Sequence, residues 1–590
     1  MNVRTRSPMV LRVACIAVAC LFAHVAYAVA PCSSLVGITL PSSSSATVTA
    51  ATSITPPITL TGPAGTATIT VPFCRVQGVA TPFSDSYIEF EVWLPSTDAA
   101  WTGRLKAEAN GDYLGGIPYP RMAQEIAEGF VEVGDDLGHE GTQSPSWDTV
   151  PDKVDDWGYR AHYYVATAAK AIVAAFYGRP PHHSYFDGCS GGGRQGHVLA
   201  DRFPDLFDGI LAGAPSHFYP DAILQLMWQN KLLLPAPEPA PQTVPAAKLS
   251  LLSSAVNAEC DAKDGLADGQ ITDPRACHFD PGVLLCPGGD EPTCLTADEL
   301  SIVREIYRGP HTSAGFHPAR DYWPGPYPGS ETDWIVNFAD SQHFGNFTGD
   351  VVYDNTTWNY RTDLNFNTDY EYIKDVLTPL TSAPSPDLRA FKAHGGKMIQ
   401  YDGWFDPVVT PEQAPDYYAA LALFEKFGDD ALDRVERESP AAIAELVATT
   451  HAPRDYFRLF MVPNMSHCGG GNGPNAFNES VSYPSPTPDA AHDAVLALIK
   501  WVEQGVPPDQ IIATQYTNNN PKLAIVRQRP LCAYPDEARY NGTGDVNSAS
   551  SFTCAAPDRK LLVPTAADLG IIRYSLWSRK LVLPTTQTEH

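Results

Sequence analysis

The feature that most constrains this chain is the alternation of strand and helix patterns through residues 160–215. Residues 160–177, RAHYYVATAAKAIVAAFY, have the spacing of an amphipathic to fully buried helix, and Gly178 stands where that helix should stop. SYFDG follows as a strand, residues 191–203 as a helix, and DGILAGAP as a short apolar strand. Such alternation implies βαβ units, hence a mostly parallel sheet with helices on both faces. Upstream, YIEFEVWL (87–94) and RLKAEANGD after Trp101 read as strands. Downstream, KMIQYDG, a helix near 411–425, RLFMVP and a helix near 489–503 resume the pattern. The proline-, cysteine- and aromatic-rich stretch 216–387 shows little periodicity and reads as a lid inserted into an α/β core, which divides into 29–215 and 388–590. With 590 residues and no internal repeat, one large domain with an insertion fits better than an array.

Within the alternating region, Gly188-Cys189-Ser190-Gly191-Gly192 is a G-x-S-x-G motif between a predicted strand and a predicted helix. In a nucleophile elbow the serine sits on a strained strand-to-helix turn, flanking glycines allow close packing, and the next amide, here Gly191, faces the developing oxyanion. The bland reading is a glycine-rich turn; the strand and helix around it favour the elbow. A serine needs a base, normally a histidine held by a carboxylate. His467, in VPNMSHC directly after the strand RLFMV, has the late position that the chain order Ser, Asp, His requires. Asp406, in the turn YDGWFD after KMIQY, is the first candidate for the acid; Asp402 in the same turn is the second, and either could be an ordinary turn aspartate. Asn110 and Gly111, after the early strand RLKAEA, are candidates for the second oxyanion donor.

The first 28 residues combine Arg4, Arg6 and Arg12, an apolar run from Val13 to Val25, and Ala26-Tyr27-Ala28, the pattern of a signal peptide cleaved after Ala28. A membrane anchor needs about 20 apolar residues, and His24 interrupts this run. Cys20 lies in a poor lipoprotein context. The expected location is secreted or periplasmic, with no membrane association after cleavage. Cleavage removes three arginines and no acid, taking the formal charge from −27 to −30. A chain so acidic and without a basic run does not suit nucleic acid.

Ten cysteines then remain, an even number that suggests disulfides in an exported protein. Proximity favours Cys260 with Cys277, Cys286 with Cys294, and Cys532 with Cys554, leaving Cys32, Cys74, Cys189 and Cys468. Cys189 precedes the candidate nucleophile and Cys468 follows the candidate base. If these two pair, their Cα atoms lie about 4.4 to 6.8 Å apart and the bond clamps the elbow to the histidine loop; two unrelated disulfides, or a metal site at His467 and Cys468, are the alternatives.

The segment CDAKDGLADGQI, residues 260–271, sets three aspartates among glycines. Carboxylates of Asp261, Asp264 and Asp268 with carbonyls of Leu266 and Gln270 could supply five of the six to eight oxygens that Ca²⁺ takes. An acidic solvated turn is the plain alternative. Lying in the lid, such a calcium is expected to be structural and away from the triad.

GCSGGGRQG, CDAKDGLADG, the turn ending at Asp406, VPNMSHCGGG and the tail RPLCAYPDEARYNGTGDVNSASSFTC together resemble the tannase and feruloyl esterase family over nearly the whole mature chain. The resemblance implies an α/β-hydrolase with a large lid, a triad of Ser190, Asp406 and His467, a Cys189–Cys468 bond, a lid calcium held by the ligands just named, and a Cys32–Cys74 pair. The EANGD loop is poorer in glycine than the family's. It further implies hydrolysis of small aromatic esters, galloyl or feruloyl; the family includes mono(2-hydroxyethyl) terephthalate hydrolase, whose acid-binding arginine has no clear counterpart in residues 310–375. A serine peptidase on the same fold and a non-catalytic hydrolase-fold binding protein are the other functions open to this sequence; the three triad residue types in order argue against the second.

Overall fold

The computed structural model describes residues 29–141, 147–235, 242–312, 323–334, 342–450, 452–478 and 483–578. The segment read as a signal peptide, and parts of the stretch 310–375, lie outside the described residues. A nine-stranded sheet organises the chain: β1 (Ala46–Ile54), β2 (Phe73–Ala80), β3 (Ile88–Pro95), β4 (Arg104–Glu108), β5 (Val131–Asp135), β6 (His183–Cys189), β7 (Gly209–Gly213), β8 (Lys397–Gly403) and β9 (Phe457–Val462). Their spatial order is β1-β2-β3-β5-β4-β6-β7-β8-β9. The first three strands and β5 pair antiparallel, and every pair from β5 to β9 is parallel. This is the mostly parallel sheet that the alternation implies. The early strand β1 has no counterpart among the expected elements, because ATVTAATSI buries only Val48 and so shows no apolar alternation.

Helices α1 (Tyr119–Ala127), α2 (Ala161–Tyr177), α3 (Gly191–Arg202), α4 (Tyr219–Leu233), α5 (Ala246–Cys260), α6 (Ala297–Arg308), α7 (Gln342–Tyr353), α8 (Phe366–Thr381), α9 (Gln413–Phe427), α10 (Ala494–Gln504) and α11 (Ala566–Ser578) surround it. Gly178 ends α2 at φ 72°, a left-handed cap that costs glycine little. At its other end α2 is preceded by a π-turn over Asp156–Arg160 rather than by regular helix. The last core helix begins at Ala494, later than its sequence suggests, because Asp493 caps it by accepting the amides of Val495 and Leu496. On one face α10 buries Leu498 and Val495 with Tyr185, Leu211, Ile399 and Phe460 of the strands. On the other, α2 contributes Val165, Ile172 and Val173 to the principal core.

Everything between β7 and β8 is the insertion, and it is more helical than its sequence suggests: α4 to α8 all lie there. In α4, twelve of the fifteen residues are buried, so no polar face exists to reveal a helical period. The insertion has a core of its own around Leu249, Leu252, Leu300, Val303, Ile306 and Trp334. Among the described residues no helix is long and apolar enough to cross a membrane.

Candidate active site

The loops at the carboxyl ends of β6, β8 and β9 bring the chemistry-bearing residues to one edge, where parallel sheets place their sites. Ser190 caps α3 at φ 62° and ψ −121°, a conformation that a non-glycine residue adopts only when its surroundings impose it. They do so here by close packing. The Ser190 amide donates to the Gly213 carbonyl at 2.9 Å, and a Cβ on Gly193 would run into that same carbonyl, while one on Gly188 would strike Ala109. Only glycine lets the turn approach β7 and the early loop this closely.

His467 Nδ1 lies 2.6 Å from Asp406 Oδ2. The carboxylate is itself fixed: its Oδ1 accepts the amides of Val408 and Val409 at 2.8 and 2.9 Å, and the side chain is fully buried. With Nδ1 committed to Asp406, Nε2 is the ring nitrogen that can exchange a proton with a serine. Asp402 points elsewhere. It is buried, accepts from Gln400 Nε2 at 2.9 Å, and burial pushes its carboxyl up to about 8, so it is a neutral acid at pH 7 rather than an anion beside the imidazole. Asp406 is therefore the aspartate that the structure brings to His467.

Cys189 and Cys468 are joined, with Cα atoms 5.9 Å apart, so the residues either side of the bond, Ser190 and His467, are held on adjoining backbone. This leaves Cys468 no role as a metal ligand. The other pairs are Cys32–Cys74, Cys260–Cys277, Cys286–Cys294 and Cys532–Cys554.

The early loop lies directly against the elbow: a Cβ on Gly191 would sit 2.9 Å from the Asp112 amide nitrogen and 3.4 Å from the Gly111 carbonyl carbon. Asn110 uses its side chain structurally, donating from Nδ2 to the Asp135 carbonyl at 2.9 Å. Asp112, at φ 53°, is the residue of this loop that sequence reading passes over. Its carboxylate meets His343 Nε2 of the insertion at 3.1 Å, and Trp157 Nε1 donates to its carbonyl at 3.3 Å. Tyr113, next in the loop, packs against Trp157, Phe344 and Phe347, with ring centroids 5.1, 5.4 and 4.8 Å away. An aromatic wall thus joins the insertion to the loop beside the candidate nucleophile.

A buried ionic group supports the strand that carries the elbow. Lys106 Nζ lies 2.8 Å from Glu125, 3.2 Å from Glu108 and 3.7 Å from Asp187, and Arg121 pairs with Glu108 and Asp187. Burial alone would raise the Glu108 carboxyl, but Arg121 and Lys106 outweigh it and hold the group below the usual carboxylate range.

The acidic loop is folded around its own amides. Asp261 Oδ1 accepts from Asp268 and Gly269, Asp264 Oδ1 from Leu266, and Asp268 Oδ1 from Gln270. Arg529 donates to Asp268 Oδ2 at 2.6 Å. The donors are the hard oxygens a calcium ion takes, although among the described residues these three carboxylates do not each offer an oxygen within 4.8 Å of the others. One expectation is corrected: the loop is not remote from the histidine. Asn464, three residues before His467, accepts the Ile271 amide at 2.8 Å and donates to the Gly269 carbonyl at 3.2 Å, and Gln270 Nε2 donates to Asn472 O. Sequence distance hid this contact, since 193 residues separate Ile271 from Asn464.

A mostly parallel sheet with a strained serine turn and a histidine–aspartate pair at its strand ends defines an α/β-hydrolase. Residues 74–555 match the family of tannase and feruloyl esterase, and the chain belongs to that family. It is 36% identical over 573 residues to an uncharacterised esterase of Xanthomonas campestris pv. campestris, covering 94% of this chain and 96% of that one. It is 31% identical over 564 residues to the mono(2-hydroxyethyl) terephthalate hydrolase of Piscinibacter sakaiensis, covering 82% and 85%. Among solved structures, feruloyl esterase B from Aspergillus oryzae superposes with a TM-score of 0.75 at 26% identity, covering 87% of this chain and 97% of that one. The chain is a carboxylic ester hydrolase.

Proposed function

We propose that this chain is an exported serine esterase that cleaves esters of aromatic acids, of the feruloyl or galloyl kind, through an acyl-enzyme. The observation that carries the reading is the His467–Asp406 contact at 2.6 Å, with the Cys189–Cys468 bond fixing that histidine beside the strained Ser190 turn. Ser190 Oγ attacks the ester carbonyl while His467 Nε2 takes its proton. Asp406 holds the imidazole in the tautomer that leaves Nε2 basic and stabilises the imidazolium. The amide of Gly191 and one from the 110–112 loop receive the oxyanion. Collapse expels the alcohol, protonated by His467; water then attacks the acyl-serine by the same route in reverse.

The aromatic acyl group is supported by the relatives named for feruloyl and terephthalate esters. The insertion acts as the lid that selects it. Initial rates on methyl ferulate, methyl gallate, mono(2-hydroxyethyl) terephthalate and an aliphatic ester, with Ser190→Ala as the blank, test this. A preference for an aromatic ester that disappears in Ser190→Ala is expected; full activity in that variant would sink the mechanism. A preference for the terephthalate monoester would name the second reading, and equal rates on all four would remove the aromatic assignment.

Export follows from the first 28 residues and suits five disulfides. An N-terminus at Val29 on the secreted or periplasmic protein is the expected result; intact Met1 there would refute cleavage. Calcium is proposed for the acidic loop, with Asp261, Asp264, Asp268 and the carbonyls of Leu266 and Gln270 as ligands. Arg529 competes for Asp268, so Arg529→Gln should tighten binding. Chelation should lower the melting temperature, and, through Asn464, the rate as well. No bound calcium by elemental analysis and an unchanged melting temperature in chelator would remove the claim.

A further inference from the structure

Away from the acidic loop, Glu412, Asp416 and Asp568 each offer a carboxylate oxygen within 4.8 Å of the others, a grouping of that kind found among the described residues. Glu412 and Asp416 stand four residues apart at the start of α9, so they share one helix face. Asp568 comes from the first turn of α11. The three line a cavity of about 30 Å³ between the helices, room for a cation and a water.

Two further observations distinguish this from an ordinary acidic surface. Glu412 and Asp416 are only 3% and 4% exposed. Their Oε2 and Oδ2 atoms are buried with no hydrogen-bond partner among the described residues, and both residues line the cavity. A buried acceptor left unmatched costs about 1–3 kcal/mol, more when charged, so groups this enclosed call for a partner. The neighbouring protein charge does not supply it. Arg275 also lines the cavity, but it is committed to Asp273 at 2.7 Å and reaches Glu412 only at 4.0 Å. Four carboxyl groups thus face one guanidinium. Asp568 gives one oxygen to the Thr565 amide at 2.6 Å and keeps the other for a ligand.

We propose that Glu412, Asp416 and Asp568 bind a hard divalent cation of the calcium type. All donors are oxygen, three carboxylates supply about three to five of the oxygens such an ion takes, and water completes the shell. The ion would staple the C-terminal helix α11 to α9, which otherwise meet through Leu423, Phe424, Leu569 and Ile572. It would also brace the segment that begins at Asp406, six residues before Glu412.

The test is calcium binding by the mature, chelator-stripped enzyme, measured by calorimetry and by metal content after dialysis against CaCl₂. Glu412→Gln/Asp416→Asn should bind one equivalent fewer than the parent, and Asp568→Asn, on a half-buried residue whose change disturbs packing least, should lose the same equivalent. Asp264→Asn should leave that equivalent in place, which keeps this site separable from the acidic loop. Undiminished stoichiometry in both the double variant and Asp568→Asn would overturn the proposal. Melting temperatures give a second reading. Saturating CaCl₂ should raise that of the parent more than that of the double variant. An equal rise in both would show that the carboxyls share protons rather than an ion, and would overturn it as well.

Discussion

The sheet core and the insertion hold their functional parts in different ways. In the core, Ser190 follows β6, Asp406 follows β8 and His467 follows β9, so each of the three candidate residues sits at the end of a strand. Each is then locked by short-range bonds, such as the Val408 and Val409 amides on Asp406. Among the described residues of the insertion no strand of the main sheet is present. Its helices are fixed by disulfides, by buried pairs such as Lys374–Asp221 at 2.7 Å, and by aromatic contacts made far along the chain. On the function proposed above, the chemistry sits on the part fixed by strand ends, and recognition on the part whose shape can vary without moving Ser190, Asp406 and His467. Substitutions in the two regions should accordingly fail differently.

The sharpest break is Asp406→Asn. The amide cannot hold the imidazole in the productive tautomer, and kcat should fall about 10,000-fold while the far-ultraviolet spectrum is kept. A loss of less than tenfold would mean that another carboxylate supports His467. Next comes the covalent tie between the loops that carry Ser190 and His467. Cys189→Ala/Cys468→Ala should cost roughly 2–4 kcal/mol of stability and lower kcat more than removal of Cys286–Cys294, a bond inside the insertion. Equal kinetic effects from the two bonds would dissolve the contrast.

The same contrast explains what was legible in the sequence. The G-x-S-x-G turn and the strand before His467 are local patterns, and the structure has the strand, turn and helix around Ser190 and the strand Phe457–Val462 ahead of His467. The choice between Asp402 and Asp406 was not local: it turns on which carboxyl reaches Nδ1, a tertiary fact. Helix α4 is illegible because it is buried on all sides. Helix α6, by contrast, carries a local signal, since Thr296 and Glu299 form a capping box before Leu300, Val303 and Ile306. The Asp112–His343 contact joins residues more than two hundred positions apart, and no motif announces it.

Asp402 offers a smaller, pH-dependent test inside the core. Its carboxyl is raised by burial to about 8 in the folded protein, against an ordinary value near 3.9 when unfolded. Between those values the folded state holds a proton that the unfolded state has released, so stability falls as pH rises through the window and levels off above about 8. Asp402→Asn removes that slope. From pH 5 to pH 7 the variant should gain up to about 2.7 kcal/mol on the parent, from about 1.4 kcal/mol per pH unit, with kcat kept within a few-fold. Parallel stability profiles would mean that Asp402 is ionised in the fold, and a collapse of kcat would return it to the triad.

The smallest expected effect lies where the two regions touch. His343 belongs to α7 of the insertion, yet its Nε2 meets Asp112 Oδ2 at 3.1 Å beside the elbow, and both side chains keep about a third of their surface exposed. A pair so open to water is worth no more than about 1 kcal/mol, so His343→Ala should lower the melting temperature slightly. If the insertion selects the acyl group while the core performs the reaction, kcat/KM on an aromatic ester should fall about fivefold, the equivalent of that 1 kcal/mol, and the rate on a short aliphatic ester should hold. An equal loss on both esters would place His343 with the catalytic loop through Asp112, whose amide neighbours Gly191. The division between a reactive core and a selective insertion would then have to be drawn on the far side of α7.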